Sequence, residues 1–273
     1  MSGKLYVVGT PIGNLGDMSP RAVEILESVD FIAAEDTRVT VKLLNHFGIK
    51  KEMLAYYEHN KNQKGNLILE RIQKGESCAL VSDAGMPAIS DPGEDLVREA
   101  RLLGLDIESV PGPCALVTAL AISGLPTGRF CFEGFLSMNK VSRRNHLSEL
   151  INETRTMIFY EAPHKLLNTL KDMLEYFGDR EIALVKELTK IHENVTRTTL
   201  SAAVEEFEQN PPRGEFVLIV TGKSDEAAVY TLEDAVKIAN NLTQKGQSIS
   251  IAAKEAAKIT GIKKGDIYKE LLN

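Results

Sequence analysis

Twelve consecutive residues hold the densest chemistry in this chain: Ser82, Asp83, Ala84, Gly85, Met86, Pro87, Ala88, Ile89, Ser90, Asp91, Pro92 and Gly93. Ser82, Asp83 and Ser90 offer hydrogen bonds to a ligand, and two Pro and two Gly stiffen the path between them. Connections from strand to helix usually take about 2–6 residues, and this one is longer. A second polar group, Glu35-Asp36-Thr37-Arg38, also follows an apolar run. It reads equally well as the acid-rich start of a helix. A third, Lys186-Glu187-Leu188-Thr189-Lys190, offers two ammonium groups and a carboxylate. Solvated surface charge is the plainer reading of each of its members. The glycine-rich run at residues 9–16 has the composition of a nucleotide loop but not its pattern. Pro11 stands where a dinucleotide fingerprint needs Gly, and no Gly-Lys-Ser/Thr follows. What remains is a stretch of small residues that a ligand can approach closely.

Alternating strands and helices must position these groups. Apolar runs at 5–8, 31–34, 53–57, 77–81 and 106–110 read as strands. Between them lie helical patterns at 20–28, from Arg38 to Phe47, after a polar stretch at 58–64 to Lys74, and at 94–103. Ser19 caps the first of these, and Asp91 and Pro92 start the last. A small-residue helix at 114–123 follows Pro111-Gly112-Pro113. This spacing predicts βαβ units in a mostly parallel sheet with right-handed crossovers. The three polar groups then lie at strand carboxyl ends, where such sheets hold ligands.

Residues 124–128 (Gly-Leu-Pro-Thr-Gly) read as the exit from this domain. Strands at 130–135, 157–160, 181–187, 191–198 and 215–221, with helices at 163–177 and 201–208, predict a second, mixed α/β sheet. A basic loop and helix with Lys140, Arg143 and Arg144 lies within it. After a polar linker at 223–229 come three short helices, 232–242, 249–260 and 264–272, separated by Gly246 and Gly261. Their pattern resembles a helix-turn-helix. The expected fold is therefore α/β: tandem domains at 1–124 and 125–222, and a helical domain at 231–273. Two such α/β domains offer a cleft between them for a small ligand.

Composition excludes several classes. No apolar run approaches the ~18–20 residues of a membrane span, and no signal-like segment opens the chain, so a cytoplasmic protein is expected. Cys78, Cys114 and Cys131 are too widely spaced for a disulfide framework or a zinc pattern. The five His form no paired ligand motif, so no metal is expected. No Gly-x-Ser-x-Gly elbow marks a hydrolase. The net charge of −6 gives no general affinity for nucleic acid. Residues 231–273, however, carry seven Lys against five acids. Lys254, Lys258, Lys263, Lys264 and Lys269 form a local basic patch there.

Six ordered motifs carry a resemblance: GTPIGNL at 9–15, AEDTR at 34–38, SDAGMPAISDPG at 82–93, VPGPCAL at 110–116, FYEAPHKL at 159–166 and KELTKIHE at 186–193. Together they resemble the bacterial small-subunit ribosomal RNA 2′-O-ribose methyltransferases of the tetrapyrrole-methylase superfamily. The superfamily likeness covers about residues 1–222, and the narrower one extends through the tail. Met86 and Ala88 depart from the Thr and Leu commoner in the pattern.

The resemblance implies a homodimer that methylates a cytidine ribose in the decoding region, using S-adenosylmethionine held between the domains. It implies cofactor contacts from Pro11, Ile12, Asp83, Ala84, Gly85, Met86, Ile89, Ser90, Cys114 and Ala115. Tyr160, Glu161, Ala162, Leu188, Pro212, Arg213 and Gly214 would close the site. A ribose hydroxyl must lose its proton during attack, and Asp36, Lys186, Glu187 and Lys190 are the candidates to take or stabilise it. Arg38, Lys140, Arg143, Arg144 and the tail lysines are the candidates to contact RNA. Two other classes fit parts of the pattern: a tetrapyrrole-type methyltransferase, which needs no basic tail, and a non-enzymatic RNA-binding protein, which needs no cofactor loop.

Overall fold

The computed structural model describes residues 3–224, 231–244, 248–260 and 262–271. Gly246, Gly261 and residues 225–229 of the expected linker lie outside the described residues. The chain divides into two compact units, Met1–Lys223 and Ser224–Asn273.

The first sheet of the larger unit contains β1 (Lys4–Val8), β2 (Phe31–Ala34), β3 (Glu52–Ala55), β4 (Cys78–Val81) and β5 (Asp106–Val110). Its order is β3-β2-β4-β1-β5, and every pair is parallel. β2 and β4 are buried at every position, which is why they read as unbroken apolar runs. Helices α1 (Pro20–Ser28) and α2 (Thr37–His46) cover one face, packing Ala22, Leu26 and Leu44 against Val8, Ile32 and Val81. Helices α3 (Lys61–Gln73) and α4 (Gly93–Leu102) cover the other through Ile68, Ile72 and Leu96. From β1 the chain runs past β4 to β2; from β4 it returns past β1 to β5. The adjacent strands β1 and β4 thus send their carboxyl-terminal loops apart, and a crevice opens between them.

The second sheet contains β6 (Phe130–Phe135), β7 (Thr156–Glu161), β8 (Glu181–Lys186), β9 (Asn194–Thr199) and β10 (Phe216–Val220). Its order is β6-β7-β10-β8-β9, with β6 and β7 parallel and the other pairs antiparallel. Helices α6 (Lys140–Glu149), α7 (Pro163–Phe177) and α8 (Leu200–Gln209) cover one face through Leu147, Leu166, Leu170, Met173 and Leu200. The opposite face is covered by α5 (Ala115–Ile122), whose Leu116, Ala119 and Leu120 pack on Ile158, Ala183, Val217 and Ile219. The small-residue helix that the sequence attaches to the first sheet therefore lies against the second. Its run ALVTALAI is apolar almost all round, so no polar stripe marks the face it must expose.

Two boundaries differ from the sequence reading by three residues or more. α3 begins at Lys61, inside the polar stretch expected before it, because its first turn faces solvent. The strand expected from residue 191 begins at Asn194. Ile191 is 98% exposed, at the tip of a turn closed by Lys190 N–H to Glu187 O (2.9 Å) and Glu193 N–H to Lys190 O (3.1 Å).

The smaller unit packs α9 (Leu232–Gln244), α10 (Ile249–Thr260) and α11 (Lys264–Glu270) around Ala235, Ala239, Ala252, Ala253, Ala256 and Ile267. Among the described residues no helix is long and apolar enough to cross a membrane. No group of His, Cys, Asp and Glu among them could hold a metal ion.

Candidate active site

The loops after β1 and β4 join across the crevice. Thr10 N–H donates to Gly85 O at 3.0 Å, and Gly85 N–H donates to Thr10 O at 3.1 Å. Gly85 sits at φ +85°, and a Cβ there would meet Ile12 Cγ2 at 3.1 Å and Pro113 O at 3.3 Å. The loop after β5 crosses the one after β1 so closely that a Cβ on Gly9 would lie 2.6 Å from Gly112 Cα. Asp91 Oδ1 accepts from Gly93 N–H at 2.7 Å and from Ala88 N–H at 3.0 Å. One carboxylate thus starts α4 and ties the loop back on itself. Ala88 and Ser90 are held at φ +66° and +65°. Each such non-glycine residue costs about 1–3 kcal/mol and persists only where its surroundings over-determine it.

The second sheet meets these loops from the other side. Glu187 and Thr189 lie at φ +52° and +63° in the turn after β8. Glu187 Oε1 accepts from Glu215 N–H at 2.9 Å and from Lys190 Nζ at 3.1 Å. A Cβ on Gly13 would lie 2.6 Å from Lys190 Cγ, so the loop after β1 packs directly on this turn. The register of β6 shifts between Phe132 and Gly134, and a Cβ on Gly134 would fall 2.8 Å from Ser90 Oγ.

These loops enclose a cavity of about 520 Å³, within the ~300–1,000 Å³ typical of small-molecule sites. Ile12, Asp83, Ala84, Gly85, Met86, Ile89, Ser90, Cys114, Ala115, Tyr160, Glu161, Ala162 and Leu188 line it. Pro11, Pro212, Arg213 and Gly214 stand outside the lining. Gly214 packs instead on Glu187, where a Cβ would meet Cγ at 2.7 Å. Glu35, Asp91, Phe135, Val185 and Glu215 also line the cavity, and the sequence reading had not placed them there. Glu35 and Asp91 carry a readable signal, since each lies in a polar group at the carboxyl end of a fully buried strand.

Charge divides the site sharply. Burial raises the proton affinity of Glu35 above the ordinary glutamate value, and the charges of Asp83 and Asp91 raise it further. Asp83 and Asp91 are raised too, again chiefly by burial. Burial also pushes the Tyr160 hydroxyl up to about 12, and that hydroxyl accepts Leu116 N–H at 3.0 Å. None of the expected catalytic residues Asp36, Lys186, Glu187 and Lys190 lines the cavity. The Arg38 side chain and backbone N–H hold the Asp36 carboxyl down at about 2, and Asp36 Oδ2 takes an Arg38 guanidinium N–H at 2.6 Å. Burial draws Lys190 down, but its bonds to Glu215 and Glu187 outweigh this and hold its pKa above the ordinary value. Glu187 is held low by its bond from Glu215 N–H.

The cations expected to meet RNA differ in exposure. Arg143 is buried, with Nε 2.7 Å from Asp172 Oδ2. Arg144 binds both Asp172 and Glu175. Arg38 and Lys140 are exposed, as are Lys254, Lys258, Lys263, Lys264 and Lys269 in the smaller unit.

Residues 4–204 match the family described as Tetrapyrrole (Corrin/Porphyrin) Methylases. A relative from Xylella fastidiosa, named Ribosomal RNA small subunit methyltransferase I, is 48% identical over 97% of this chain and 98% of its own. A relative of the same name from Synechocystis sp. is 45% identical over 98% of this chain and 96% of its own. Among solved structures, cobalt precorrin-4 methyltransferase, a cobalamin biosynthetic enzyme, aligns with a TM-score of 0.59 at 18% identity. That alignment covers 80% of this chain and 94% of the other. The chain belongs to the tetrapyrrole methylases and, within them, to the family of small-subunit ribosomal RNA methyltransferases.

The cavity fits S-adenosylmethionine, the methyl donor of such enzymes. Ile12, Met86, Ile89, Val185 and Leu188 give apolar walls, and Asp83 and Asp91 add acidic groups that suit a cationic donor. The convergence of tight loops on one small space is the form that close approach to a bound ligand requires.

Proposed function

We propose that this methyltransferase transfers a methyl group from S-adenosylmethionine to the 2′-hydroxyl of a cytidine ribose in small-subunit ribosomal RNA, working as a cytoplasmic homodimer. The observation that carries the reading is the acidic, strained cavity at the β1–β4 crevice, in a chain belonging to this family. The two α/β domains, 1–124 and 125–222, hold the donor between them, and residues 231–273 add contacts to RNA. S-adenosylmethionine supplies an electrophilic methyl on a sulfonium, so most of the catalysis can come from placing a nucleophile in line with it. The lining residues hold the donor, with Asp83–Met86, Ile89 and Ser90 on one side and Tyr160–Ala162 and Leu188 on the other. Pro11, Pro212, Arg213 and Gly214 stand outside this shell.

Mapping ribose methylation tests the reading. Small subunits from cells lacking the protein are incubated with it and S-adenosylmethionine, and precorrin-type substrates are offered in parallel. A new 2′-O-methyl group on a cytidine of the small-subunit RNA is expected. Methylation of the tetrapyrrole alone, or of a base rather than a ribose, would overturn it.

A further inference from the structure

We propose that Glu35 is the general base that takes the proton from the attacking ribose hydroxyl. The assignment rests on the ribose-methylation reading above.

A base must reach the reacting atoms, be unprotonated and have no stronger partner. Asp36 and Glu187 fail because cationic or backbone donors already occupy their carboxylates and hold them low. Lys190 fails because two carboxylates keep it protonated. All three, and Lys186, stand outside the cavity lining.

The carboxyl groups inside the cavity are Glu35, Asp83, Asp91, Glu161 and Glu215. Asp91 is consumed in shaping its own loop. Asp83 Oδ1 accepts the Asp36 backbone N–H at 3.0 Å and so fixes the β4 loop to the end of β2. Glu161 is paired with Lys165 at 2.8 Å and accepts from Thr169 Oγ1. Glu215 Oε2 is paired with Lys190 Nζ at 2.9 Å. Glu35 is the remaining carboxylate: its partner is the Asp83 backbone N–H, and unlike Asp83, which lies near Arg38, it has only anions as charged neighbours. It is half-buried, at the carboxyl end of β2, one strand outward from the β4 loop. The charged groups facing it are Asp83 and Asp91 from the β4 loop and its neighbour Asp36, all negative. Together with burial they strengthen it as a proton acceptor.

The step balances without a further reactant. The O2′–CH3 bond forms as the S–CH3 bond breaks, the C–S electron pair stays on sulfur as a neutral thioether, and the O2′ proton passes to a Glu35 carboxylate oxygen.

The test compares the wild type with Glu35→Gln and Glu35→Asp on small ribosomal subunits, in single turnovers across a pH series. Calorimetry with S-adenosylmethionine and thermal melting accompany the rates. Glu35→Gln is expected to slow transfer roughly 10²–10⁴-fold, with donor affinity within about threefold of wild type and the acidic limb of the rate profile lost. Glu35→Asp should restore part of the rate and keep that limb. A Glu35→Gln protein that transfers at near-normal rate would overturn the assignment, as would one that has lost donor binding, which would make Glu35 a binding residue. Wild-type protein that methylates no ribose would overturn the functional reading itself, and that result is distinct from either.

Discussion

At the residue scale, the site depends on positions where chemistry and backbone conformation coincide. Gly85 combines φ +85° with contacts that leave a Cβ 3.1 Å from Ile12 Cγ2. Gly85→Val should weaken S-adenosylmethionine binding at least tenfold, because a β-branched side chain is strained there and would push Ile12 and the Pro113 carbonyl, shifting the cavity wall. Wild-type affinity by calorimetry in a folded Gly85→Val protein would exclude the loop from the donor site. The carboxylates make a second prediction. Asp83 and Asp91 each hold protons more tightly than their ordinary values of 3.8. They are therefore still neutralising as pH falls toward those values, and ionise fully only above them. Affinity for S-adenosylmethionine should rise with pH across this range more steeply than affinity for S-adenosylhomocysteine, whose sulfur is neutral. Parallel titration curves for the two would show that the carboxylates do not face the sulfonium.

At the element scale, α6 is less of an RNA surface than its sequence promised. Arg143 and Arg144 on α6 converge on Asp172 of α7, and Arg143 and Asp172 are both buried. The pair ties two helices to the core beneath the second sheet. Asp172→Ala should cost about 3–5 kcal/mol, since it strands a buried guanidinium. Urea denaturation measures this, and a loss below 1 kcal/mol would mean that Arg143 reaches solvent when its partner is removed. Lys140, exposed at the start of α6, remains the cation of this element best placed to meet a phosphate.

At the scale of the whole molecule, the chain separates at Lys223 into a large α/β unit and a small helical one. Each has its own hydrophobic cluster. A protein ending after Ser224 should therefore fold and bind S-adenosylmethionine as the full chain does. It should bind small subunits more weakly, with each lost phosphate contact removing roughly 0.7–0.9 from the slope of log affinity against log salt. An unchanged slope would assign the exposed lysines of the helical unit to some role other than RNA contact.

The sequence by itself determined the elements and one side of the site. Unbroken apolar runs mark β2 and β4 because a strand covered on both faces has no polar positions to alternate. The stiff loop from Ser82 to Gly93 announces itself by length and by Pro and Gly placement, which are local properties of the chain. Six motifs in order also carried the family. Tertiary structure alone decided what those pieces face. The helix α5 has apolar residues all round, so only packing could assign it to the second sheet. Asp36 and Glu35 are neighbours of similar chemistry in the sequence. Arg38 occupies the first, and the cavity wall takes the second. Which of two adjacent carboxylates faces the cavity beside Asp83 and Asp91 depends on parts of the chain brought together from far apart, and no local pattern encodes that meeting.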